Sequence, residues 1–502
     1  MDKEISSAIS YALNKGFQIH PNALEILHKI DVNELAQIIK DVVREKTKQK
    51  VFLINEEDFE IYLGIKDDEE HQAEFEILSD PTNKITSAEG VEGYGALFAS
   101  RFDKLKQIMS DRPESKKVRD IESAKSVTKT NDELYVWGLV SDRKSDRNIT
   151  KITLEDPTGS MEIVVFQGDL KDSADTLLMD QFAMFRIVPA KNGGFFAKDI
   201  HLPDIPEHTT NRSKTETYAV FLSDLHVGSK FFMEEELVDF INWISSADPI
   251  ARKIRFVVIG GDLIDGVGVF PGQEKILNQT TTEEQLQKTF EVLDKIPKHI
   301  KVFLISGNHD AGRKALPQPA IPKMYNSELW DRENFFMLGN PSLVSLNGVK
   351  VLMYHGQSID DVVRTTPGVS YDKPAAVMRH FLKARHLSPI YGSRTPIAPE
   401  TEDMMVIDGV PDIFHSGHVH FVGLDMYKGV LIINSGAWQR QTDFQESVGI
   451  TPTPGMAIIV NLQTMKVFQK DFRVEESDFI EPKHAEPQPL SSVSYTHLTL
   501  PT

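Results

Sequence analysis

The sequence predicts a multidomain α+β protein with an N-terminal helical bundle, a small β-barrel and a C-terminal α/β domain. Three observations carry that prediction. Apolar residues recur at three-to-four spacing over residues 1–48, the period of helices with one buried face. Short apolar or alternating segments separated by turn signals fill residues 118–206, which is a strand pattern. From 217 to 475 apolar strands alternate with helical segments, as in a layered α/β domain. A chain of 502 residues has room for all three.

In the first region Ile5, Ile9 and Leu13, then Leu24, Leu27 and Ile30, then Leu35, Ile38, Ile39 and Val42 mark successive helices, and Asp31 with Glu34 suits a capping box. No catalytic cluster occurs there, so a docking or structural role is expected. Residues 49–117 read as a charged linker. Between 51 and 80 eleven acids (Glu56, Glu57, Asp58, Glu60, Asp67, Asp68, Glu69, Glu70, Glu74, Glu76 and Asp80) face one base, Lys66, giving 1 − 11 = −10. Clustered like charge resists compaction, which favours a solvated linker over a metal-binding tract. The stretch from Arg101 to Lys125 swings basic and suits either a mixed solvated helix or a nucleic-acid contact.

Five strand-like segments follow: Leu134 to Val140, Ile149 to Leu154, Met161 to Phe166, Phe182 to Val188 and Phe195 to Ile200. Asp156-Pro157-Thr158-Gly159 and Asn192-Gly193-Gly194 supply turns between them. Five strands in about 90 residues match a Greek-key barrel of the OB-fold type. Trp137, Phe166, Phe195 and Phe196 could stack on single-stranded bases, but they lie in apolar runs where core packing is the default. The barrel then serves as a scaffold for another subunit. Residues 203–217 read as a linker, and 476–502 as a disordered tail. The end of that tail, Ser494 to Thr502, resembles a translated adapter read-through more than a protein terminus.

Composition excludes several classes. Lys plus Arg number 55 and Asp plus Glu 74, a net charge of −19, so no overall basic field holds nucleic acid. Nucleic-acid chemistry must rest on a local site, a metal centre or a basic partner. Cysteine is absent, which removes disulfides, thiolate nucleophiles and sulfur-ligated metals. No apolar run approaches the roughly 18 residues of a membrane helix, and Asp2, Lys3 and Glu4 lack a signal-peptide core. A cytoplasmic protein without membrane contact is expected.

Chemistry concentrates in the C-terminal half, where apolar strands run into metal-ligand residue types. Tyr218 to Leu222 leads to Asp224-Leu225-His226, and Ile254 to Ile259 leads to Gly260-Gly261-Asp262-Leu263-Ile264-Asp265. Val302 to Ile305 leads to Gly307-Asn308-His309-Asp310. Val349 to Tyr354 leads to His355-Gly356, and Ile413-Phe414 to Gly417-His418-Val419-His420. A rigid sheet holds such ligands, while glycines allow sharp turns beside them. One Asp-x-His is weak evidence; clusters in this order are strong. Asp265 reads equally well as a supporting group or a surface carboxylate.

These motifs resemble the calcineurin-like metallophosphoesterase family over residues 217 to 445, with every ligand position present. The resemblance implies that Asp224, His226, Asp262 and His420 hold one metal, and that Asp262, Asn308, His355 and His418 hold a second, with Asp262 bridging. It also implies that His309 is the catalytic histidine and that Asp310 orients it. Two divalent ions against two carboxylates leave about +2 to bind hydroxide and a phosphodiester. Oxygen and nitrogen donors suit manganese or iron, and zinc is compatible.

The remaining segments narrow the resemblance. Gly266-Val267-Gly268-Val269-Phe270-Pro271-Gly272-Gln273-Glu274, Phe381 to Pro389, Tyr391 to Glu400, Val410 to His415 and Asn434 to Gln439 look like the small-subunit family of archaeal DNA polymerase D. That likeness spans 118 to 475 and implies a proofreading 3′-5′ exonuclease working on DNA 3′ ends beside a large catalytic polymerase subunit. Lys383, Arg385, His386 and Arg394 suit either DNA phosphates or contact with that subunit. A non-catalytic assembly subunit is the alternative, and a phosphoprotein phosphatase is a third reading that leaves the barrel unexplained. Because the metal motifs begin after 217, residues 1–117 are expected to be dispensable for a folded metal-binding core.

Overall fold

Strands that are apolar on both faces need cover on both sides, and the C-terminal half meets that need by stacking two sheets. The computed structural model describes residues 2–60, 73–127 and 133–474, apart from residues 28, 29, 31, 87, 89, 192, 193, 247, 326 and 448. The acids Asp67, Asp68, Glu69 and Glu70, the Asp31 cap, the Asn192-Gly193 turn and the 476–502 tail lie outside the described residues.

One six-stranded sheet runs in the order Phe335–Leu338, Lys301–Ile305, Ile254–Ile259, Tyr218–Leu222, Met456–Asn461 and Val467–Asp471. Its first four strands are parallel. The other runs Val422–Tyr427, Val430–Ser435, Ile413–Ser416, Val349–Met353, Ser342–Leu346 and Phe75–Ser79, with a parallel centre. Ala219, Phe221, Phe256, Val258 and Phe303 from the first sheet meet Val344, Val351, Met353, Ile413 and Ile433 from the second in one apolar layer. Each fully buried phenylalanine there contributes about 2 kcal/mol. Helices Glu234–Ile244 and Thr282–Leu293 cover the outer face of the first sheet. Ile359–Thr365 and Pro374–Ala384 cover that of the second.

The five strand-like segments form a closed barrel in the order Leu134–Ser145, Ile149–Asp156, Gly159–Phe166, Phe195–His201 and Phe182–Pro189. Val136, Val140, Ile152, Leu154, Ile163, Val165, Phe185 and Ile187 fill it. The aromatics divide differently from the expected core packing. Trp137 is half-buried on the outside, near Phe182 (ring centroids 6.1 Å apart) and with Lys106 Nζ 5.7 Å above its ring. Phe166 is 52% exposed and leans on half-buried Phe196, because both point outward from neighbouring strands.

Helices Asp2–Asn14, Pro21–Leu27 and Val32–Gln49 enclose Ile5, Ala12, Leu27, Leu35 and Ile39. Leu13, in step with the helical period, is instead 55% exposed.

Three segments depart from the sequence reading. The supposed linker 49–117 is ordered at both ends: Leu53–Ile54 pairs with Gln18–Ile19, Phe59 is buried, and Lys46 Nζ lies 2.9 Å from Asp58. Phe75–Ser79 then becomes the edge strand on Ser342–Leu346. Charge counting misses this because Glu74 and Glu76 face water while Phe75 packs against Phe303 and Phe336 at 5.4 and 4.5 Å. The basic stretch also is not simply solvated. Arg101, on helix Gly90–Ser110, is buried; its Nε donates to Asp403 Oδ2 (2.8 Å) and its Nη1 to Pro389 O (2.6 Å). Residues 203–217 lack regular structure but are stitched down. His208 Nε2 and Asn211 N both donate to Asp412 Oδ1 (2.6 and 2.7 Å), and Ser213 N donates to Leu462 O. Among the described residues no helix is long and apolar enough to cross a membrane.

Two outcomes follow for stability. Removing residues 1–60 should leave the melting transition of the remainder in place, whereas removing 1–117 should lower it by several degrees. The longer deletion takes an edge strand and leaves the buried Asp403 without Arg101; scanning calorimetry separates the two. The second outcome concerns His386, which donates to Asp403 (2.9 Å) and whose burial, assisted by the Arg101 charge, lowers its pKa to about 4. Between pH 6.5 and 4 the unfolded chain binds a proton there that the folded protein refuses, so stability falls with acid by about 3 kcal/mol. Urea titrations across that window should show a shallower acid slope in His386→Gln.

Candidate metal centre

The ligand-type residues sit where parallel strands end. Asp224 and His226 follow Tyr218–Leu222, Asp262 follows Ile254–Ile259, and Asn308 and His309 follow Lys301–Ile305, all on the first sheet. His355 follows Val349–Met353, and His418 and His420 follow Ile413–Ser416, on the second. Loops at the carboxyl ends of parallel strands converge on one crevice, so stacking the sheets brings the two half-sets together.

Their backbone is strained. Asp224, His226, Asp262, His418 and His420 adopt φ of 54°, 50°, 50°, 73° and 61°, a left-handed region that costs side-chain-bearing residues on the order of 1–3 kcal/mol each. Interlocked main-chain bonds hold them: Asp224 N donates to Gly261 O, His226 N to Asp262 O, Trp438 N to Asp224 O and Thr453 N to His420 O. Glycine is required beside them. A Cβ at Gly307 would lie 2.1 Å from Asp262 Oδ1, and one at Gly417 would lie 1.8 Å from Ser223 Oγ.

The donors form overlapping clusters. Asp224, His226 and His420 make one, and Asp262, His355 and His418 another, each with ligand atoms within 4.8 Å of one another. His226 Nε2 approaches His420 Nε2 at 3.0 Å, and Asp224 Oδ1 lies 3.4 Å from His420 Nε2. His355 Nε2 lies 3.3 Å from Asp262 Oδ2 and 2.9 Å from Asn308 Oδ1. Two features fit a cation. Asp224 Oδ1 is buried without a hydrogen-bond donor among the described residues, a costly arrangement unless something positive meets it. Also, His226 Nδ1 donates to Asp265 Oδ1 (3.1 Å) and His355 Nδ1 to Gly260 O (2.9 Å), so both Nε2 atoms face the cluster. Burial opposes ionisation of Asp262, but the charges of His355, His309 and His226 outweigh it and hold the carboxyl well below the usual range. Burial likewise lowers His355, yet the Asp262 charge prevails and raises it to about 9.

The expected partnership of His309 with Asp310 is not formed. Asp310 Oδ1 accepts from Leu263 N (2.9 Å) and Ile264 N (3.2 Å), and Oδ2 from Gly307 N (2.8 Å). It therefore ties the Asp262 loop to the Gly307 turn, and burial with the nearby Asp262 charge pushes its carboxyl up to about 6. His309 is oriented by main chain instead: Nδ1 donates to Asp265 O at 2.6 Å, and its own N–H donates to Asp262 Oδ1 at 2.8 Å. Adjacent residues of a turn point apart, which is why the pairing fails.

Asp265 is a supporting group, not a surface carboxylate. It is buried, holds His226, and accepts from Gln439 Nε2 (2.9 Å) and Gln273 Nε2 (2.7 Å). Asp360, unlike Asp265, escaped the sequence reading; its Oδ2 lies 3.5 Å from His418 Nε2. Gln273 and Gln439 lie in motifs that carried the resemblance, whereas nothing in the sequence marks Asp360.

The four proposed phosphate-binding bases do not assemble. Arg385 is buried, capping its helix with φ 53° and donating from Nε to Ile407 O. His386 is committed to Asp403. Both follow from one cause: the helix ends at Ala384, and the chain turns inward. Lys383 lies partly buried, 6.0 Å above the Tyr427 ring. Arg394 alone of these is exposed beside the centre. Burial opposes ionisation of Asp360, but His418, Tyr371 and Arg394 together hold its carboxyl below the usual range.

Carboxylate, imidazole and amide donors thus converge at the carboxyl ends of two stacked sheets, a layered α/β domain with a candidate metal site. The family of DNA polymerase alpha/epsilon B-subunits matches residues 219–421. The DNA polymerase II small subunit of Archaeoglobus fulgidus is 37% identical over 464 residues, covering 88% of this chain and 93% of that protein. That of Pyrococcus horikoshii is 38% identical over 402 residues, 77% of this chain and 64% of that protein. The chain thus spans under two thirds of the Pyrococcus relative. It belongs to the family of archaeal DNA polymerase II small subunits, the small subunits of DNA polymerase D. Among solved structures, a novel archaeal phosphodiesterase has 14% identity and a TM-score of 0.26, covering 50% of this chain and 98% of its own. A phosphoesterase-like protein of Streptococcus pneumoniae has 13% identity and a TM-score of 0.26, covering 53% and 95%.

Because the Asp265 carboxylate steadies His226, Asp265→Ala should weaken any divalent-cation binding at the cluster about 10- to 100-fold while the protein stays folded. Calorimetric titration with manganese, alongside a melting curve, checks this.

Proposed function

We propose that this chain is the small subunit of a two-subunit replicative DNA polymerase and carries a metal-dependent 3′-5′ exonuclease that removes mismatched nucleotides. The observation that carries the proposal is the convergence of an unbroken donor set on one crevice, with Asp224 Oδ1 buried and accepting no hydrogen bond there from the described residues. Asp224, His226, Asp262 and His420 would hold one divalent ion. Asp262, Asn308, His355 and His418 would hold the other, with manganese the first choice and iron or zinc compatible with the same donors. When bound, such ions supply Lewis acidity toward a phosphodiester and toward water.

The protein's own groups do the rest. His309 Nδ1 is committed to the Asp265 carbonyl, so Nε2 is the nitrogen that exchanges a proton with the substrate. Arg394 is an exposed base whose charge acts on Asp360, the partner of His418, and it supplies a phosphate contact at the rim. The barrel, of OB type, and the large catalytic subunit provide the grip on DNA that a chain of net charge −19 lacks.

His309→Ala should abolish hydrolysis while elemental analysis still finds about two metals per chain. Loss of metal in that variant would move His309, whose ring lies in the His226–Asp262 cluster, into the ligand set. In complex with the large subunit, a mismatched primer labelled at its 5′ end should shorten from the 3′ end faster than a matched one, since fraying costs less there. No digestion by the complex would favour the non-catalytic assembly role.

A further inference from the structure

The segment Gly266 to Gly272 supplies no ligand, yet it is built as a rigid support. Buried glutamines hold its base from two sides. Gln273 donates from Nε2 to the Asp265 main-chain oxygen (2.8 Å) and Oδ2 (2.7 Å), and its Oε1 accepts from Val269 N (2.9 Å). Gln285 accepts from Gly266 N (2.8 Å) and donates to Gly266 O (3.1 Å). Gly266, Gly268 and Gly272 turn the chain at φ 75°, 72° and 83°, which other residues resist. What this scaffold presents is apolar: Val267, Val269 and Phe270 are 48%, 37% and 40% exposed.

The position of the loop gives that tip a meaning. Asp265, to which the loop is bolted, orients both His226 and His309. Gly266 packs so closely that a Cβ there would lie 2.6 Å from His309 O. Apolar side chains held in water on a loop whose base packs against His309 gain by covering a flat apolar surface. A nucleobase is such a surface, and it accompanies every phosphodiester that enters.

We propose that Phe270, carried on the Gly266–Gly272 loop, is the stacking platform for the 3′-terminal nucleobase and so favours unpaired ends. The inference rests on the reading of the cleft as a phosphodiesterase for DNA 3′ ends. A paired terminal base is held in its duplex, whereas a frayed one is free to swing onto the ring, and stacking accepts any base.

The test compares full-length wild type, Phe270→Ala and Phe270→Trp, with manganese, on single-stranded oligonucleotides ending either in a normal 3′ nucleotide or in a 3′ abasic one. Phe270→Ala should slow removal of the base-bearing nucleotide about tenfold, chiefly through KM, leave the abasic end unaffected, and be rescued by tryptophan. Fluorescence of a 3′-terminal 2-aminopurine should be quenched by wild type and not by the alanine variant, which reads stacking without turnover. Equal slowing on both ends, or no slowing on either, overturns the platform. So does weakened binding of the large subunit with an unchanged ratio between the two substrates, which would assign the tip to protein docking. Should the alanine variant unfold, Phe270→Leu, which keeps apolar volume without a ring, must show the same base-specific loss. Wild type inactive on both ends even in complex with the large subunit would instead remove the phosphodiesterase reading, while the quenching still reports on the ring.

Discussion

One apolar layer holds the two donor-bearing sheets face to face, and the candidate metal centre depends on it. Asp224, His226, Asp262, Asn308 and His309 hang from one sheet, and His355, His418 and His420 from the other. Phe221, Phe256 and Phe303 against Val351, Met353 and Ile433 set the distance between those groups. Close-packed interiors deform little, so a contact such as His226 Nε2 to His420 Nε2 at 3.0 Å is maintained by residues that have no chemistry of their own.

That rigidity also sustains strain. Left-handed backbone at five donor positions would relax in an isolated loop. Here each loop is bonded to the next: the Asp224 loop to Gly261, the His226 loop to Asp262, and the Gly436–Trp438 segment back to Asp224. Asp310 closes the chain of contacts from inside by accepting from both the Leu263–Ile264 turn and Gly307. The centre is therefore preorganised by main-chain hydrogen bonds, with carboxylates used as struts as well as ligands.

The N-terminal half is tied to this domain by polar as well as apolar means. Phe75–Ser79 completes the second sheet, and Arg101 reaches Asp403 in a site from which water is excluded. A buried pair of this kind is weak evidence for net stability, but it penalises wrong packing heavily, because either partner alone is an uncompensated charge. It holds the helix Gly90–Ser110 against the segment that runs from Pro389 to Asp403.

The sequence by itself determined whatever a short window can encode. Unbroken apolar runs announced the central strands, the alternation of the barrel announced its pleats, and Asp-x-His, Gly-Asn-His-Asp and Gly-His-x-His announced the donors, because each motif sits on one loop. Tertiary structure decided what depends on residues far apart. Phe75–Ser79 was hidden by its acids because an edge strand needs only one packed side chain and a partner to bond with. Arg385 and His386 looked available for phosphate until the chain turned inward after Ala384. Asp310, next to His309 in the chain, proved to serve the backbone, while the carbonyl of Asp265, 44 residues away, orients the histidine. Neighbours in sequence share a backbone; neighbours in a site share a direction, and direction is set by the packing of whole sheets.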